Sequence, residues 1–128
     1  MPHTENVIKT YRLGGGLLAT VSDLTSHYFG GYYHVRILVR ADVPVSAAAF
    51  DVELDYHDAV RRLGTSVSFS RTLEKMAVPD SEMDYVRQQL LASFDATMLP
   101  YLARDDFAAS FVRSEYRKAL NTRPVFRR

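Results

Sequence analysis

Residues 32–41 read Tyr-Tyr-His-Val-Arg-Ile-Leu-Val-Arg-Ala, and the two-residue period of this stretch decides the fold class. Tyr33, Val35, Ile37 and Val39 fall on one side of an extended chain, while Tyr32, His34, Arg36, Leu38 and Arg40 fall on the other. The first set requires burial. The second is cationic with a leucine at its centre, so whatever contacts it is the nearest functional clue in the chain.

Upstream, residues 7–13 alternate Val7, Lys9, Tyr11 and Leu13 against Ile8, Thr10 and Arg12, which predicts an edge strand. A lysine on its inward parity discourages edge-to-edge pairing. Gly14, Gly15 and Gly16 follow, without the Gly-Lys-Ser/Thr ending of a phosphate-binding loop, and predict a hairpin turn. Residues 17–24 form the second strand. A hairpin through Gly30 and Gly31 is expected to set Val21 opposite Ile37 and Ala19 opposite Val39, with Ser22 beside Arg36 and Leu24 beside His34.

Downstream, Phe50, Val52, Leu54 and Tyr56 alternate with Asp51, Glu53 and Asp55, which predicts a fourth strand antiparallel to the third. Its acids are then expected beside Arg36 and Arg40. Residues 57–64 read as a turn or helical turn closed by Gly64, and residues 66–73 as a fifth strand with Val67, Phe69 and Leu73 inward. From Ser81 the period lengthens: Met83, Val86, Leu90, Phe94 and Met98 predict a helix over 81–99, capped by Asp80 or Ser81 and ended near Pro100. A second helix is predicted over 105–120, burying Phe107, Phe111, Val112, Ala119 and Tyr116, with a loosely held basic tail over 121–128. The reading is a single α+β domain over residues 1–128. A five-stranded antiparallel meander sheet occupies about residues 7–73, and two C-terminal helices pack on one face.

Sixteen Lys and Arg against fifteen Asp and Glu give the whole chain no electrostatic bias toward nucleic acid or a membrane surface. The chain has no cysteine, which removes disulfides, thiol nucleophiles and thiolate metal sites and suits the cytoplasm. The first ten residues lack the pattern of a secretory signal, and no apolar run has the length of a membrane span.

Chemistry-bearing residues are sparse. One register of the third and fourth strands places His34 opposite His57 with Asp55 one step away, a geometry that suits one metal ion or an acid/base pair. No His-x-His or His-x-x-x-His spacing supports it, and no serine lies in a nucleophile elbow, so no catalytic residue, metal or cofactor is assigned. The functional expectation is a non-catalytic cytoplasmic module that associates with itself, a dimer being favoured, or with a protein partner. Its contact surface is an edge strand or the outer sheet face: Tyr32, His34, Arg36, Leu38, Arg40, Asp51, Glu53 and Asp55. One alternative is a small-molecule binder or enzyme with a pocket at Tyr28, Phe29, Tyr32 and His34. Another is weak polyanion binding by Arg113, Arg117, Lys118, Arg123, Arg127 and Arg128. Nucleic acid on the sheet face is disfavoured by the three acids expected there.

Overall fold

A computed structural model describes residues 6–122. It shows an α+β fold with a five-stranded antiparallel sheet. β1 (Asn6–Arg12) turns through the glycine triplet into β2 (Leu18–Asp23). Gly15 and Gly16 take positive φ there, which an L side chain disfavours, and Leu13 N–H bonds the Leu17 carbonyl at 2.7 Å to close the turn. β3 (Ser26–Phe29) continues the line of β2, and both pair with β4 (Tyr32–Pro44). β5 (Ser66–Pro79) lies on β4 as well, with Val45 N–H on the Thr65 carbonyl at 2.9 Å and Asp80 N–H on the Gly31 carbonyl at 3.1 Å.

The turn at Gly30–Gly31 is tight, closed by the Phe29–Tyr32 pair, and this sets the β2–β4 register. Val21 therefore faces Val39, Ala19 faces Ala41 and Ser22 faces Leu38. The expected register, built on a longer loop, is off by two residues. An offset of two preserves which side each residue faces, so Val35, Ile37 and Val39 are buried as their parity requires.

The fourth strand is a correction. Residues 50–56 do not join the sheet: α1 runs over Glu53–Leu63, with Val52 as N-cap residue and Gly64 at φ 85° beyond its end. Glu53 and Asp55 lie in the first turn and Arg61 and Arg62 in the last, each sign at the end of the helix dipole that favours it. Tyr56, Ala59, Val60 and Leu63 supply a helical stripe that continues past the point where the alternation stops. Val52 and Leu54, placed in the core by the strand reading, are 51 % and 77 % exposed. β5 takes the position on β4 instead, and it runs to Pro79 rather than Leu73.

Ala77 explains how β5 changes its inward parity. Its φ of 55° interrupts the alternation, so Glu74 reaches His34 on the outer side while Val78, of the same parity, is buried with Val35.

The remaining helices are α2 (Met83–Thr97), α3 (Leu99–Leu102) and α4 (Phe107–Asn121). Asp80 and Ser81 sit in a 3-10 turn before α2 rather than capping it, and Pro100 lies in the first turn of α3. The chain packs as two compact units. One holds Ser70–Arg104 with residues up to Ala41, and the other holds Asp42–Phe69 with residues from Asp105 onward.

In the first unit Val86 of α2, flanked by Met83 and Leu90, packs on Val35 and Val78. Phe94 meets Tyr11 at 5.4 Å between ring centroids, and Arg87 Nε lies 3.1 Å from Asp23. These partners all stand on the inner side of the sheet. In the second unit Phe69 packs edge-on against Phe107 and Phe111, each at 5.6 Å. Phe50 forms a second aromatic group with Tyr56 and Tyr116.

Candidate functional site

Two surfaces gather the residues singled out above. The first is the outer side of the sheet in the first unit, and the cross-strand register defines its rows. Val7, Ser22 and Leu38 form one row, Thr10, Thr20 and Arg40 the next, and Arg12 pairs with Leu18. Ser26 pairs with His34 and Phe29 with Tyr32 at the hairpin end. Ser22 is buried among its larger neighbours, while Val7, Leu18 and Tyr32 are exposed. Phe29, at 73 %, is among the most exposed large apolar side chains described, and the adjacent Tyr28 is exposed too.

Along this row of β4, His34 Nε2 donates to Glu74 at 2.7 Å, and Arg36 holds its Nε buried without a hydrogen-bond partner among the described residues. Tyr32, His34, Arg36, Leu38 and Arg40 thus share one strand and one parity. Asp51, Glu53 and Asp55 do not belong to the sheet. They stand at and just before the start of α1, so the expected neutralising acids are not strand neighbours of Arg36 and Arg40. Tyr28, Phe29, Tyr32 and His34 lie together on the β3–β4 hairpin, with Tyr28, Phe29 and Tyr32 presented outward.

The edge strand is less available than its position suggests. β1 breaks register between Val7 and Lys9, and Lys9 lies 3.8 Å from Asp95 with its ammonium over the Tyr11 ring. A bulge and a lysine both discourage a second chain from pairing along an edge. Tyr11 donates to Asp95, and burial together with that bond raises its phenol above the ordinary tyrosine value.

The second surface is an open cleft of about 300 Å³ within the second unit. Phe50, Asp51, Val52 and Asp55 line it from the start of α1, and Arg113, Tyr116, Arg117 and Leu120 line it from the later turns of α4. The Tyr116 ring stands perpendicular to Phe50 at 5.4 Å, and its hydroxyl donates to Asp58 at 2.8 Å. Asp58 also accepts from Arg62 at 2.8 Å and from Arg61. The Arg62 hydrogen bond first and the Tyr116 bond second lower its carboxyl from 3.8 to about 2, and the same Tyr116–Asp58 bond raises the Tyr116 phenol. Arg113 Nη1 donates to the Ala49 carbonyl at 3.0 Å. The strand reading of residues 50–56 hid this cleft. Its helical spacing, Arg113–Tyr116–Arg117–Leu120, is legible only once α1 is known to face α4.

Arg113 and Arg117 line the cleft, Lys118 pairs with Glu115 at 3.0 Å, and Arg123, Arg127 and Arg128 lie outside the described residues. The His34–His57 arrangement is not supported by strand pairing, because His57 stands on α1, 3.3 Å from Glu53. Among the described residues, no three of His, Asp and Glu converge as a metal site would require, and no helix is long and apolar enough to cross a membrane. No known protein family, curated protein or solved structure matches the chain.

Proposed function

We propose that this protein is a non-catalytic, cytoplasmic association module that pairs with a second copy of itself through the outer face of its sheet. The observation that carries the reading is the composition of that face: Val7, Leu18 and Tyr32 are exposed along it, and Phe29 stands beside Tyr32 at the hairpin end. The helix contacts described above for the first unit engage the opposite side. Exposed apolar groups sharing one face of a sheet are what a contact surface would use.

The face is also self-complementary. A two-fold axis crossing β4 near His34 brings Tyr32 of one copy over Arg36 of the other, and a guanidinium over a phenol ring is attractive once water is excluded. The bulge and Lys9 of β1 favour the face over the edge. Aromatic and arginine side chains on a sheet also suit single-stranded nucleic acid. The aliphatic Val7, Leu18 and Leu38 favour a protein partner instead.

Light scattering on size-fractionated protein tests the reading. The wild type is expected to be a dimer at about 100 μM, and Leu38→Glu a folded monomer. A wild-type monomer at that concentration, a dimer indifferent to Leu38→Glu, or saturable binding of a single-stranded oligonucleotide by the monomer would each overturn it.

A further inference from the structure

We infer that the cleft between the start of α1 and the later turns of α4 binds a small zwitterion with an apolar body, of the class of free apolar amino acids. The cleft has the two properties such a ligand needs. Phe50 and Tyr116, at right angles, and Leu120 beside them give it an apolar wall. Its volume of about 300 Å³ is at the small end of ligand sites.

Its rim carries both signs of charge, left unspent. Asp51, Asp55 and Arg117 line the same cleft, yet none of their side chains makes an ion pair or hydrogen bond with another described residue. A simple anion entering here would meet Asp51 and Asp55, and a simple cation would meet Arg117. A ligand with an ammonium and a carboxylate satisfies both at once, and each charge excludes the singly charged competitors.

The site is also built before the ligand arrives. Tyr116 is held by its bond to Asp58, and Asp58 is held in turn by Arg62 and Arg61, so the aromatic wall does not have to be ordered on binding. Arg113 is fastened to the Ala49 carbonyl, which ties α4 to the segment before α1.

Nuclear magnetic resonance titration of the full chain tests this. L-phenylalanine and L-leucine are compared with 3-phenylpropionate, which lacks the ammonium, and phenethylamine, which lacks the carboxylate. Saturable shifts are expected at the Tyr116, Arg117 and Leu120 amides with at least one amino acid. Removing either ligand charge should weaken binding by at least about tenfold, and so should Arg117→Gln or Asp55→Asn. Both variants alter exposed side chains, so the fold should persist. No saturable shift with either amino acid at about 10 mM would overturn the inference, as would equal affinity for a singly charged analogue or indifference to both variants. The Leu38→Glu protein should bind undiminished, which separates this site from the sheet-face association.

Discussion

Aromatic side chains are treated in opposite ways in the two units. In the second, Phe69, Phe107 and Phe111 close on one another, and Phe50 closes with Tyr56 and Tyr116. At the β3–β4 hairpin of the first, Tyr28, Phe29 and Tyr32 are presented outward. The residue types are alike, so composition does not separate them. What differs is what the backbone offers: a helix laid across a strand encloses rings, whereas a two-glycine turn at the end of a hairpin has nothing to lay over them. Rings of the first kind hold a unit together. Rings of the second kind contribute little until something else covers them.

Truncating one ring from each group gives the largest contrast. Phe107→Ala, at a position 2 % exposed, should lower unfolding free energy by about 3–5 kcal/mol, since the cavity adds to the lost burial. Phe29→Ala should change it by less than about 0.5 kcal/mol when measured on the dissociated Leu38→Glu background. Denaturant midpoints settle both. A costly Phe29→Ala on that background would show that the hairpin ring packs within its own chain, and the contrast would fail.

A middle-sized effect should appear in acid. Asp58 binds its proton at about 2 in the folded chain against 3.8 ordinarily, so between those values the unfolded chain carries more protons. The stability this carboxylate contributes is therefore complete above about pH 4 and is lost as the pH falls toward 2. Asp58→Asn should flatten that part of the stability–pH curve, and Tyr116→Phe should flatten it less, as Arg62 is the larger cause. Tyr116 works in the other direction: its phenol is raised, so its contribution persists below pH 10 and fades as the pH climbs through the raised value. Acid titration that leaves wild type and Asp58→Asn parallel would contradict the network.

The smallest effect concerns Ala77, whose φ of 55° is the one positive value among described residues other than glycine. An L side chain in that region is strained by roughly 1 kcal/mol. Ala77→Gly should accordingly raise the unfolding free energy slightly, by about 0.5–1 kcal/mol, and Ala77→Val should lower it by more. Reversal of that order would mean that β5 does not change parity at this residue.

How much was legible varies along the chain for physical reasons. The stripe of α2, from Met83 to Met98, repeats over more than three turns, and no strand could bury it on one side. Residues 50–56 are the counterexample. Seven residues of alternation fit a strand, but Glu53 and Asp55 fit equally well as acids in a first helical turn, and Arg61, Arg62 and Gly64 supply the matching end. Reading the window through to Gly64 recovers the helix; reading it to Tyr56 does not. The cleft was out of reach for the same reason, since half of its lining was assigned to a sheet.

By itself the sequence determined which side of β4 and of α2 must be buried. Parity along β4, the apolar stripe of α2 and the glycine turn after β1 are local consequences of side-chain direction and backbone sterics, and they hold whatever the partner. Tertiary structure alone decided the pairings: β5 rather than residues 50–56 on β4, Val21 on Val39 rather than Ile37, Glu74 as the partner of His34, and Phe50 beside Tyr116. These choices compare the burial and hydrogen bonding of whole elements against one another. A β4 flank open to two candidate segments goes to the one whose removal from the sheet would leave more apolar surface in water. Residues 50–63 instead bury Ala59, with Tyr56, Val60 and Leu63 half-buried beside it, as a helix.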